Sequence, residues 1–121
     1  SSVGAKVAIL GLTFKENCPD MRNTKVLSII NNLINYNCDV IVTDPYADKI
    51  ELKEKFNIEI QTLESLQGLD AVILAVAHSD YLNINLSNWE KYFKSKGILI
   101  DIKSVYNNNF FNKSTISHWR L

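Results

Sequence analysis

Cysteine, glycine and proline are all scarce in this 121-residue chain, with two, four and two copies respectively. Cys18 and Cys38 form no CxxC pair, which excludes a disulfide framework and a zinc ribbon. Both read as reduced thiols, as expected of a cytoplasmic protein. Charge of one sign is lacking as well: 13 Lys and Arg face 13 Asp and Glu. No global field draws nucleic acid or an anionic membrane, so neither is expected as a partner and any anion site must be local. No apolar run approaches the roughly 18 residues of a membrane span, and no signal peptide is visible. The length suits one domain, residues 1–121, with a single core.

What the chain does have is alternation of strand and helix. Lys6–Leu10 is a continuous apolar strand of the buried parallel type. Thr24 to Tyr36 carries apolar residues at helical spacing, with Asp20 or Asn23 as its cap and Asn35–Asn37 as its end. Asp39–Thr43 reads as the second strand, stopped by Pro45. Ala47 to Phe56 reads as a polar helix, Ile58–Ile60 as a short edge strand and Thr62–Leu66 as a brief helix. Asp70–Val76 is the central strand, Leu86 to Lys94 a helix and Ile98–Ile102 the fifth strand. The tail from Asn107 either adds a short strand or packs on the surface. The expected fold is α/β: a Rossmann-like, doubly wound, mostly parallel sheet of five or six strands with helices on both faces.

The loop Gly11-Leu12-Thr13-Phe14-Lys15-Glu16-Asn17-Cys18-Pro19-Asp20-Met21-Arg22 lies between the first strand and the first helix. Ligands of open α/β sheets bind at that rim, where backbone N–H groups and the helix dipole favour anions. The scarcity of glycine matters here. One glycine replaces the G-x-G-x-x-G of a dinucleotide site, so the loop is not a self-sufficient NAD site, and it is not a P-loop either. Phe14 and Lys15 offer a face for a base and a cation for a phosphate or sugar, or else pack and solvate ordinarily. Arg22 opposes the dipole at a helix start, which an anion or a pairing with Asp20 would explain. His78 and Lys103 end later strands on the same rim. His78 touches a ligand, caps or packs; Asp44 pairs with a ribose or, as favoured here, caps the turn before Pro45. A phosphoacceptor receiver domain is excluded, because strand one ends in Gly11-Leu12-Thr13 without an acidic pair and strand three in Gln61-Thr62 without an Asp.

Gly11–Lys15 with Asp20-x-Arg22, Asp44-Pro45-Tyr46, Leu74–His78 and Asp101-Ile102-Lys103 together resemble the C-terminal, UDP-binding domain of the UDP-glucose/GDP-mannose dehydrogenase family. Glu16–Asp20, Ala77-His78 and the ending Trp119-Arg120-Leu121 are similar to the branch that oxidises UDP-N-acetylhexosamines, whose products feed bacterial capsule or O-antigen synthesis. The resemblance implies a fragment of an NAD-dependent UDP-sugar 6-dehydrogenase. Such an enzyme takes the sugar C6 alcohol to a carboxylate with two NAD, through a cysteine thiohemiacetal and thioester. It implies that Phe14, Lys15 and Lys103 contact the UDP-sugar, and that Arg22 reaches NAD held mainly by an N-terminal domain. Lys103 stands where UDP-glucose-oxidising relatives place an Arg that reaches the neighbouring subunit's UDP-sugar, so a point charge replaces a bidentate fork. No catalytic residue and no metal ligand are expected in this chain, and the full-length enzyme is expected to be a homodimer or larger. The alternative is a non-catalytic Rossmann-like nucleotide-binding or dimerisation module.

Overall fold

A computed structural model describes residues 4–20 and 23–121. Its five strands are β1 (Lys6–Leu10), β2 (Asp39–Thr43), β3 (Leu69–Leu74), β4 (Phe93–Asp101) and β5 (Ser117–Arg120), all parallel, in the order β2-β1-β3-β4-β5. Three α-helices connect them: α1 (Thr24–Asn35), α2 (Lys49–Phe56) and α3 (Leu86–Tyr92).

The sheet is buried from both sides because its strands alternate between two apolar clusters. Val7, Ile9, Val42 and Ile73 meet Val26 and Ile30 of α1 and Leu52 of α2. Ala8, Leu10, Val72, Leu74 and Leu99 meet Leu66, Tyr81, Trp89, Tyr106 and Phe111 on the other face. Trp89 is fully buried and packs edge-on against Tyr92, Tyr106 and Phe111, an arrangement that suits the quadrupoles of the rings. The expected α/β sheet with helices on both faces is thus what forms.

Helix ends follow local chemistry. The Asn23 side chain accepts the Val26 N–H and starts α1. Asn37, at φ 65°, ends it. Asp48 accepts the N–H groups of Ile50 and Glu51, so α2 begins at Lys49 rather than at Ala47.

Two expectations need correction. Ile58–Ile60 is not a strand: among the described residues it makes a single bridge, Val42 to Ile60, because the chain turns away at once toward Thr62. The segment expected as Ile98–Ile102 belongs to the fourth strand, which starts earlier, at Phe93, passes a register irregularity before Ile98 and ends at Asp101. The fifth strand is the tail segment Ser117–Arg120, paired with Ile98–Asp101.

The strand order fixes where a site can lie. From β1 the chain goes to β2 on one side, and β3 lies on the other, so the connections after β1 and β3 part at the carboxyl ends of these neighbours. In open α/β sheets that parting is the crevice that takes ligands. Here Gly11 closes it from one side. At φ 98° it sits in a conformation open to glycine, and a Cβ there would lie 2.5 Å from Val76 Cβ and 2.8 Å from Val76 N. Gly11→Ala is therefore expected to destabilise the chain by about 2–4 kcal/mol through combined strain and overpacking. Urea unfolding measures it; a midpoint equal to wild type would show that the closure has slack.

Candidate functional site

Asp44, immediately after β2, organises the rim. Its Oδ2 accepts the Leu12 N–H at 2.7 Å, the Thr13 N–H at 2.9 Å and the Thr13 hydroxyl at 3.1 Å. Its Oδ1 accepts the Tyr46 N–H at 2.8 Å and shapes the turn at Pro45. The favoured turn role is therefore half of what Asp44 does. The other half reaches across β1 and ties the loop after it to the end of β2.

His78 completes the junction from the β3 side. It is fully buried, between the rings of Tyr46 and Tyr81. Its Nδ1 accepts the Asn17 N–H at 2.8 Å, so this nitrogen carries a lone pair. The proton is then on Nε2, which lies 2.9 Å from both Asp44 Oδ2 and Thr13 Oγ1. Of the readings open for His78, packing in the rim is the one the structure gives. Asn17 returns the contact, since its Oδ1 accepts the Ser79 N–H at 2.9 Å. Sequence reading passed over Asn17. Its signal was its type: asparagine tolerates the left-handed backbone it adopts here, φ 55°.

Burial would push the Asp44 carboxyl up. The hydrogen bonds from His78, Leu12, Thr13 and Tyr46 outweigh it and hold the group down at about 2. A permanent carboxylate therefore occupies the two backbone N–H groups at the end of β1. Those are the donors that would meet a phosphate in a dinucleotide-binding sheet. The residues present do not fit the pyrophosphate of NAD, because the protein's own anion fills and repels at that point.

The remaining loop faces outward. The Phe14 N–H bonds the Asp20 carbonyl at 2.6 Å, and the Asn23 amide bonds the Thr13 carbonyl at 3.0 Å. Phe14 is 59% exposed and Lys15 is exposed beside it. Lys103 is exposed in the turn after β4, on the same rim. Two sheet spacings, about 10 Å, separate the strands that carry Lys15 and Lys103. Buried Asp101 holds that second turn: it accepts the Val105 and Tyr106 N–H groups and lies 3.0 Å from His118 Nε2. Phe14, Lys15 and Lys103 are thus exposed on one edge of the sheet. Arg22 lies outside the described residues. A cleft of about 370 Å³ opens beside the Asp44–His78 junction, between Thr43, Asp44, Pro45, Lys49, Gln61 and Tyr81, and includes neither Lys15, Lys103 nor Phe14. Neither cysteine is in a disulfide, and the described residues hold no cluster of metal-ligating side chains. No helix among them is long and apolar enough to cross a membrane.

Residues 8–108 match the model of the UDP-glucose/GDP-mannose dehydrogenase family, UDP binding domain. The chain belongs to this family. It is 45% identical over 118 residues to Protein CapL of Staphylococcus aureus, covering 98% of the chain and 27% of that protein. It is 43% identical over 100 residues to the UDP-N-acetyl-D-glucosamine 6-dehydrogenase of Pseudomonas aeruginosa, covering 83% of the chain and 24% of that protein. In fold, this UDP binding domain superposes on the NDP-N-acetyl-D-galactosaminuronic acid dehydrogenase of Methanosarcina mazei Go1 with a TM-score of 0.84, at 24% identity, over 98% of this chain and 25% of that one. The chain spans about a quarter of the length of each of these relatives.

Proposed function

We propose that this chain is the C-terminal domain of a UDP-N-acetylhexosamine 6-dehydrogenase and supplies one wall of its sugar-nucleotide cleft. The observation that carries the reading is the division of the loop after β1. Its inner half is locked to Asp44 and His78, while its outer half holds Phe14 and Lys15 in the open. A side chain with no intramolecular task, presented from a fixed backbone, is what ligand contact needs. Phe14 offers a face to the uridine or sugar, Lys15 a cation to the diphosphate or a sugar hydroxyl, and Lys103 a second cation on the same edge. NAD, two equivalents for each C6 alcohol taken to a carboxylate, is held by the part of the protein outside this chain, with Arg22 reaching toward it. The catalytic groups lie outside this chain as well. The proposed role is in capsule or O-antigen polysaccharide synthesis, in the cytoplasm, by an enzyme that is at least a homodimer; the name of Protein CapL fits the capsule part of it.

Full-length protein given UDP-N-acetylglucosamine, UDP-N-acetylmannosamine or UDP-glucose in separate assays tests the reading. Two NADH per sugar, with an N-acetylhexosamine preferred, is the expected result. No NADH from any of the three would overturn the enzymatic role and leave a binding or dimerisation module.

A further inference from the structure

We infer that His78 is a positioning residue: as the Nε2–H tautomer it holds the Phe14–Asp20 loop, through the Asn17 N–H, in the shape that presents Lys15 to the nucleotide sugar. The inference rests on the reading of Lys15 given under Proposed function. A buried histidine bonded at both nitrogens is commonly a packing residue. Here the partners of the two nitrogens differ in kind. Nε2 faces Asp44 and Thr13, which are fully buried and bonded to each other without it. Nδ1 instead reaches a loop residue in left-handed backbone, two positions from Lys15.

The described residues of the loop are mostly exposed. Phe14, Lys15, Glu16, Asn17 and Pro19 are exposed, and Cys18 and Asp20 are half-buried, so apolar burial contributes little to its shape. The Phe14 N–H to Asp20 carbonyl bond closes its neck. Asn17, near the middle, is held to the sheet by its N–H on His78 and its Oδ1 under the Ser79 N–H. Removing the acceptor at Nδ1 leaves an N–H without its partner and a strained residue without its restraint. The neighbouring Lys15 then samples many positions before ligand arrives, and that ordering must come out of binding.

The two nitrogens can be separated by substitution in the full-length protein. In His78→Asn, the side-chain oxygen stands near the place of Nδ1 and accepts from Asn17. His78→Gln carries its amide out to the place of Nε2 and leaves Asn17 without an acceptor. The expected KM for the UDP-sugar rises about tenfold in the glutamine variant, stays within about threefold in the asparagine variant, and leaves the NAD KM and saturated kcat nearly unchanged in both. A role in packing alone would move Tm in both variants without that split; equal UDP-sugar KM values in the two would overturn the inference. Nitrogen-15 spectra of the wild-type imidazole are expected to show Nε2 protonated and Nδ1 bare, and a protonated Nδ1 at neutral pH would equally overturn it. Lys15→Ala serves as the control. If it leaves the UDP-sugar KM at wild type, the ligand reading of the loop is wrong; if it raises KM while His78→Gln does not, the positioning role alone is wrong.

Discussion

Asp44→Ala is expected to remove about 3–5 kcal/mol of stability, the range seen when one partner of a buried charged network is deleted. The loss comes from several groups together. The N–H groups of Leu12, Thr13 and Tyr46 lose their acceptor, and His78 Nε2–H loses its anionic partner in a site closed to water. For a domain of this size, that is a large share of the 5–15 kcal/mol typical of native proteins. Urea unfolding of the chain should place the alanine variant at the edge of folding at room temperature. A loss under about 1 kcal/mol would mean that other groups or water satisfy these donors.

The same carboxylate sets an acid limit. Its folded value, about 2, lies below the ordinary 3.8, because the four hydrogen-bonding residues together outweigh burial. The charged form is favoured by folding, so the contribution is complete above pH 3.8 and is lost as pH falls from there through about 2. At about 1.4 kcal/mol per pH unit, the difference is on the order of 2 kcal/mol. Asp44→Asn, which cannot titrate, should be less stable than wild type by about that amount at neutral pH. The two stability curves should converge as the pH approaches 2. Parallel curves would move the acid limit to another group.

Those partners show what a sequence can and cannot disclose. The strands of the centre were legible because a strand buried on both faces must be continuously apolar, as Val7–Leu10 and Val72–Leu74 are. Helix α1 was legible because one stripe of it faces the sheet, and its cap because Asn23 is a strong local acceptor. Ser117–Arg120 carries no strand signal of its own: it is short, at an edge, and mostly exposed, so its pairing comes from β4 and not from its own pattern. The start of β4 was hidden for a related reason. Phe93 to Gly97 looks like the end of a helix followed by a polar turn, and only the contact with Leu69 draws Phe93 into the sheet. The site divides in the same way. The rim position of Lys15, Phe14 and Lys103 is legible because it follows from strand ends. The Asp44–Thr13–His78 junction was not, because it joins residues more than thirty positions apart and no local pattern records it. The loop is not a free backbone anion site, because the N–H groups of Leu12 and Thr13 already have Asp44 as their anion.

Lys15→Ala in the full-length protein should act in the opposite sense to the Asp44 substitutions, on activity and not on stability. Lys15 is exposed, at a surface position where truncation typically changes stability by no more than about 0.5 kcal/mol. A charged hydrogen bond to a ligand is worth about 1.5–3 kcal/mol, so its loss should lower kcat/KM for the UDP-sugar roughly 10- to 100-fold. Arginine at this position should restore part of the loss, since it keeps the charge but exchanges a compact ammonium for a planar fork. Methionine should restore none, because it keeps the stem and removes the charge. Wild-type kinetics in the alanine variant would withdraw the role assigned to the loop, whatever the fate of the enzyme. A fall in Tm comparable to that of Gly11→Ala would also count against it, by making Lys15 part of the scaffold. The physical reason to expect a clean separation is the seam through the loop itself. From Gly11 to Thr13 every residue is buried and bonded to Thr43, Asp44, His78 or Asn23, whereas from Phe14 to Glu16 the residues are exposed. The buried half determines a shape, and the exposed half has no evident use until something anionic is brought against it.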